Sequence, residues 1–141
     1  MLFGSDRDSL RRMYLEAWRR STESLPLEPV QAQIADVVAI HPEYHPTLDA
    51  GDDVVEKDWD GGDGQSNPFL HMGMHLAIRE QVATDRPAGI SDIHRALCQR
   101  LGDQHDAEHL MMECLAAELW RAQQNGRPPE ESQYLEALRR L

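Results

Sequence analysis

Helical periodicity is the feature that most constrains the fold of this chain. Apolar residues recur at every third or fourth position along most of its 141 residues, and no stretch alternates apolar and polar residues as a half-buried strand does. Clusters of proline and glycine interrupt the pattern, and such clusters end one helix and start the next. We therefore predict an all-α fold, a single-domain helical bundle over residues 1–141 with five main helices plus a C-terminal helix.

Capping residues and prolines set the limits of these helices. Pro128 and Pro129 start the C-terminal helix, and Asn67 and Asp103 have the side chains of N-caps, which accept hydrogen bonds from the first free backbone N–H groups. The five main helices are predicted over residues 5–22, 29–40, 68–84, 91–101 and 104–124.

The first two helices each show an apolar face. The face of helix 5–22 predicts that its arginines lie on the opposite, solvated side of the helix. The residues of that apolar face are Leu10, Met13, Tyr14, Ala17 and Trp18, and those of helix 29–40 are Val30, Ile34, Val37 and Val38.

Seven histidines are many for this length, and their spacing is informative. The pair His71 and His75 and the pair His105 and His109 are each four residues apart, so each pair lies on one face of its helix. With the two N-caps in place, both pairs fall in the first two turns of their helices.

Helix direction predicts that these pairs meet. Short connections make successive helices antiparallel, so helices 68–84 and 104–124 start at the same end of the bundle. The end of helix 29–40 carries His41, Glu43 and His45 to that end. We call this expected cluster the histidine pole, and only His94 is predicted to lie elsewhere.

The histidine pole has the donor set of a transition-metal site. Imidazole suits Zn, Fe, Ni or Cu, and a carboxylate shifts the preference toward Zn, Fe or Mn. Glu113 continues the face of His109 and is the best carboxylate candidate. We predict a site for Zn, Fe, Mn or Ni with the ligands His71, His75, His105, His109 and Glu113, and with His41 and His45 as further candidates.

The sequence leaves open whether this site turns over a substrate, and it identifies no catalytic residue. An enzyme of this kind would carry out metal-assisted hydrolysis or redox chemistry, with Glu113 or Glu43 as ligand or general base. The alternative is a non-catalytic protein-interaction module whose histidines are structural. A small anion bound at the two helix N-termini is a third option, and the surrounding acidic residues count against it.

The segment 47–66 is acidic and rich in glycine, and we predict that it forms one long irregular loop. Loops of this length are more often functional than idle, although a solvated spacer fits the composition equally well. Trp59 is expected to hold the loop over the histidine pole.

Charge and cysteine content limit the partners. With 25 acidic and 14 basic residues the net charge is −11, which argues against nucleic acid and against an anionic membrane surface. No apolar run is long enough to span a membrane. Two cysteines without a CxxC motif, and an N-terminus unlike a signal peptide, predict a cytoplasmic location.

A protein partner or a second copy of the chain is left open. Its contact surface would be the acidic loop 49–63 or the arginines of helix 5–22. The favoured interpretation of those arginines is a solvated face with Asp8 and Glu16 as ion-pair partners.

Five motifs carry a family resemblance. They are AWR at 17–19, PLEP at 26–29, HPEYH at 41–45, GQSNPFLHMGMHLAIREQ at 64–81 and GDQHDAEHLMMECLAAELWRAQQNGRPP at 102–129. Together they resemble a bacterial family known as domain of unknown function 1841, over nearly the whole chain. The resemblance implies a small cytoplasmic helical protein and brings no reaction, substrate or partner with it.

Overall fold

The computed structural model describes residues 3–59 and 67–141, and for residues 3–5 only their helical backbone is considered. The described residues form helices and no strands, which confirms the predicted all-α class. The helices are α1 (Phe3–Thr22), α2 (Pro29–Ala39), α3 (His45–Asp49), α4 (Pro68–Thr84), α5 (Ile90–Leu101), α6 (Gln104–Asn125) and α7 (Glu131–Arg139), with short 3-10 helices at Pro42–Tyr44 and Gly51–Val54.

The chain divides into two compact units, Met1–Leu76 and Ala77–Leu141, and the division falls within α4. The single-domain bundle with alternating helix directions stays a prediction. No helix in the described part of the chain has the length and apolar character needed to cross a membrane.

The core of the first unit forms where α1 packs on α2 and α3. The apolar face predicted for helix 5–22 is partly wrong, because Leu10 is 57% exposed and Met13 is also exposed. In α2 the prediction fails only at Val30, which is exposed. The buried residues of this core are Tyr14, Ala17, Ile34, Val37, Val38, Leu48, Val54, Phe69 and Met72.

The predicted long loop is wrong over its first part. Residues 45–54 form α3 and a 3-10 helix, and they bury Leu48 and Val54. His45 has helical dihedral angles (φ −60°, ψ −44°) although Pro46 follows it, which is unusual because a proline disfavours that conformation in the residue before it. Residues 60–66 of the predicted loop lie outside the described residues.

Arg11 is the clearest correction to the predicted solvated face of α1. Its side chain is only 6% exposed, and Nη1 donates hydrogen bonds of 2.7 Å to the carbonyl oxygens of Val55 and Lys57. The guanidinium also lies 5.2 Å from the ring centre of Trp59 and 5.1 Å from that of Phe69. Burial lowers the pKa of Arg11.

These contacts also revise the role predicted for Trp59. Its ring packs edge-on against Phe69 at 5.8 Å between centroids and beneath the guanidinium of Arg11. Arg11 and Trp59 together hold the segment after Val54 on the core of the first unit. The expected position over the histidine pole has no support in these contacts.

Other arginines of α1 form ion pairs within the chain, as the favoured interpretation predicted. Arg19 contacts Glu16 at 2.7 Å and Glu23 at 2.6 Å, and Arg20 also contacts Glu16. Arg7 pairs with Asp8 and Asp58. Because acidic side chains of the same chain accompany these arginines, the structure gives no particular support to a basic docking surface on α1.

The second unit is built from the rest of α4 and from α5, α6 and α7. Gly102 and Gly126, with φ of 74° and 62°, end α5 and α6 where the sequence predicts a stop, since glycine adopts this left-handed conformation without strain. The C-terminal helix begins at Glu131, two residues after Pro129, the second of the two prolines at which its start was predicted.

Glu118 ties this helix to α6. The carboxylate is only 7% exposed and accepts hydrogen bonds from Arg121 and, at 2.7 Å, from the backbone N–H of Glu130, the residue that precedes α7. The hydrogen bond from Arg121 and, to a lesser extent, the one from the backbone of Glu130 lower the pKa of Glu118.

Replacing Arg11 should destabilise the protein far more than replacing its neighbour. Arg11→Ala leaves two carbonyl oxygens without their charged donor and removes the cation–π contacts, so we expect the free energy of unfolding to fall by about 2–4 kcal/mol. Arg12→Ala, at an exposed position of the same helix, should change it by less than about 0.5 kcal/mol. Urea unfolding of both variants measures the difference, and equal losses would show that the buried arginine has no special role.

The ion pair of Glu118 should make stability depend on acid pH. Because the pKa of Glu118 is lower in the folded state, its carboxylate contributes stability above the unfolded-state pKa of about 4.5, and this contribution disappears as the pH falls through the folded-state pKa. We expect the difference in unfolding free energy between wild type and Glu118→Gln to have its maximum value at pH 7 and to decrease below about pH 4.5. Urea unfolding at pH 7, 5, 4 and 3 tests this, and a difference that is the same at every pH contradicts it.

Candidate metal centre

Three histidine rings lie against one another in the first unit. His41 follows the end of α2, and His71 and His75 lie four residues apart in α4. The ring centroids of His41 are 5.1 Å from His71 and 4.6 Å from His75, and those of His71 and His75 are 5.0 Å apart. His41 and His75 are fully buried, whereas His71 is half-buried.

The predicted N-cap explains where the α4 pair sits. The side-chain oxygen of Asn67 accepts hydrogen bonds from the backbone N–H groups of Phe69 at 2.9 Å and Leu70 at 3.2 Å. This cap confirms the predicted helix start and places His71 and His75 in its first two turns.

A backbone carbonyl fixes the ring of His41. Its Nδ1 lies 2.7 Å from the carbonyl oxygen of Val37. Because a carbonyl only accepts hydrogen bonds, Nδ1 carries the proton, and in the neutral ring Nε2 carries the lone pair. Histidines that bind metals have this arrangement, with one nitrogen donating to a carbonyl or carboxylate and the other facing the ion.

A second histidine pair lies on α6, in the second unit. Asp103 caps this helix by accepting a 2.8 Å hydrogen bond from the backbone N–H of His105, as predicted. The Nε2 atoms of His105 and His109 are 3.0 Å apart, and both side chains are half-buried. The helical spacing therefore directs two ring nitrogens to one point.

Four histidines meet the distance requirement of a metal site. His41, His75, His105 and His109 each offer a ring nitrogen, and these four atoms lie within 4.8 Å of one another. Two nitrogens bound tetrahedrally to one zinc ion at about 2.0–2.1 Å lie about 3.3–3.4 Å apart. The widest separation in the group, up to 4.8 Å, exceeds this spacing, so the four residues are a candidate for holding an ion whose ligand distances are not yet set.

The other predicted ligands do not belong to this group of four. The ring of His71 contacts those of His41 and His75, but His71 is not one of the four. His45 stacks on Trp18 at 4.4 Å between centroids, and its Nε2 donates to the carbonyl oxygen of Val38. Glu113 is exposed. His94, which was predicted to lie elsewhere, is 3.4 Å from the Sγ of Cys98.

Glu108 is a buried carboxylate that the sequence reasoning did not select as a ligand candidate. It has no solvent exposure, and its oxygens accept hydrogen bonds from Arg79 and Gln104. Glu108 follows His105 by three residues, and Glu113 follows His109 by four. Of the two, Glu108 pairs with Arg79, and this contact depends on the fold and cannot be seen in the sequence.

Both cysteines have the character expected of unreactive thiols. Burial raises the pKa of the Cys98 thiol, and nearby Glu108 and Asp103 raise it further. Burial, followed by Glu113, raises the pKa of Cys114. Raised pKa values keep both groups protonated at neutral pH, so neither is an activated nucleophile.

The fold and the histidine group define a small all-helical protein with four imidazoles that could hold a metal ion. The chain belongs to the family described as a domain of unknown function (DUF1841), whose model matches residues 6–140. No curated protein and no solved structure matches the chain.

The hydrogen bonds at the end of α2 predict opposite tautomers for two nearby histidines. In their neutral forms His41 should carry its proton on Nδ1 and His45 should carry its proton on Nε2, because those atoms donate to Val37 and Val38. Long-range ¹H–¹⁵N NMR distinguishes the two tautomers, with each ring serving as the reference for the other. The same tautomer at both positions would contradict the described geometry.

Proposed function

We propose that this protein binds a transition metal ion through His41, His75, His105 and His109. The observation that carries the proposal is the grouping of four ring nitrogens within 4.8 Å of one another. Supporting it, Nδ1 of His41 donates to a backbone carbonyl, which is the arrangement found in histidines that bind a metal through their other nitrogen.

The donor set favours borderline metals over hard cations. Four imidazoles suit Zn, Ni or Fe, whereas Mg and Ca prefer oxygen ligands. Mn becomes a weaker candidate than the sequence suggested, because the group of four contains no carboxylate. His71, whose ring contacts those of His41 and His75, is proposed as a further nitrogen donor. Glu113 and His45 stay predictions that the proposal does not need.

Metal binding is proposed without turnover. A bound ion with an open coordination position would supply Lewis-acid chemistry or an activated water, which is the route to hydrolysis. The two free cysteines favour a reducing location, so a cytoplasmic protein is part of the proposal.

Protein purified without a histidine tag should take up close to one equivalent of Zn or Ni. Binding to the folded state raises apparent stability, by about 2.7 kcal/mol when the free metal is at 100 times its Kd. We expect this thermal shift with Zn and Ni and none with Mg or Ca. Metal content by elemental analysis and melting curves with each ion measure both effects.

Variants of the half-buried ligands separate metal binding from folding. His105→Ala combined with His109→Ala should lower Zn affinity by at least about 100-fold, because two of four ligands are lost. His94→Ala is the matched control, being a half-buried histidine outside the group. If the wild type takes up less than about a tenth of an equivalent and shows no shift, the proposal is wrong and the interaction module with structural histidines becomes the better interpretation.

A further inference from the structure

Glu108 is a fully buried carboxylate located between two of the proposed ligands in α6. It has 0% exposure, follows His105 by three residues and immediately precedes His109. A buried carboxylate is costly unless it is paired and hydrogen-bonded, so its partners determine what it does.

Two partners of Glu108 come from helices of the second unit. Nε of Arg79, in α4, lies 3.2 Å from each carboxylate oxygen, and Nε2 of Gln104, one turn earlier in α6, donates to Oε2 at 2.8 Å. Arg79 follows His75 by four residues, so it occupies the next turn on the same face of α4.

We propose that Glu108 is a positioning residue of the metal site. Its ion pair with Arg79 joins the first turns of α6, which carry His105 and His109, to the turn of α4 that follows His75. The inference rests on the proposed metal-binding function, and the contact it names holds the part of α6 that carries His105 and His109.

The physical reason is the precision that a metal site demands. Ligand atoms must be held to within about 0.5 Å of their working positions, and flexible side chains alone do not ensure this. Loss of an outer partner that orients the ligands typically lowers metal affinity by about 10- to 100-fold. Glu108→Gln keeps the shape of the side chain but removes the charge that holds Arg79.

A buried ion pair that serves only folding is the rival explanation, and the same helix offers a matched control. Glu118 is also buried and pairs with Arg121, but it lies ten residues beyond Glu108, about 15 Å along α6. Glu118→Gln therefore removes a buried carboxylate of the same kind at a distance from the histidines.

The experiment compares the two variants with the wild type. Zn affinity is measured by competition with a chromophoric chelator, the visible absorption of the Co-loaded protein reports ligand geometry, and urea unfolding of the metal-free protein reports stability. We expect both variants to lose stability, and only Glu108→Gln to lose about 10- to 100-fold in Zn affinity and to change the Co spectrum. Unchanged affinity and spectrum in Glu108→Gln, or an equal loss in Glu118→Gln, would overturn the inference.

A second variant keeps the test decisive if Glu108→Gln does not fold. Arg79→Lys retains the positive charge but lacks the planar guanidinium that reaches both oxygens, so it should lower Zn affinity in the same direction by a smaller factor. Wild-type affinity in Arg79→Lys would then overturn the inference. A wild type that binds no metal removes the proposed function and this inference together, whereas binding that is insensitive to both variants leaves the function and removes only the inference.

Discussion

Buried charged side chains need partners, and this requirement determines how particular segments attach in both units of this protein. Among the described residues, Arg11, Glu108 and Glu118 are the charged side chains with almost no exposure. An unpaired charge in such surroundings would cost several kcal/mol, so each needs partners. For all three charges, at least one partner comes from a different segment of the chain. Arg11 fixes the path of the chain after Val54, Glu118 fixes the start of α7, and Glu108 joins α6 to α4. Apolar packing gives these helices their faces, and the three charges determine how particular segments attach to them.

Much of the helical structure was predictable because it follows from local rules. Periodicity located the main helices, and the caps Asn67 and Asp103 fixed the starts of the two that carry histidine pairs. The segment 45–54 was not predicted, because its helical turns are too short to show a period and bury only isolated residues such as Leu48. Arg11 was missed for a related reason. An arginine among other arginines on a helix is expected to be exposed to solvent. The carbonyl oxygens that accept its hydrogen bonds belong to Val55 and Lys57, far along the chain.

The residues of the candidate site were predictable to a similar extent. The four-residue spacing identified both histidine pairs, and the end of α2 was predicted to carry the further candidates His41 and His45. Which of seven candidates come together was beyond the sequence, since it depends on rotamers and on competing contacts. His45, for example, stacks on Trp18 and binds a carbonyl, whereas His41, four residues earlier, is a member of the group. The choice between Glu108 and Glu113 was equally open, because the packing of neighbouring helices determines which carboxylate is buried.

The carbonyl groups at the end of α2 have a consequence for how this protein can change. The last turn of any helix leaves carbonyl oxygens without intrahelical donors, and here Val37 and Val38 receive donors from the rings of His41 and His45. His41 thus contacts a carbonyl at the helix end through Nδ1 and is also a member of the histidine group. Its orientation is established when the helix forms, so part of the ordering cost of the proposed ion binding would be met during folding. A mutation at position 41 therefore changes the histidine group and the helix terminus together.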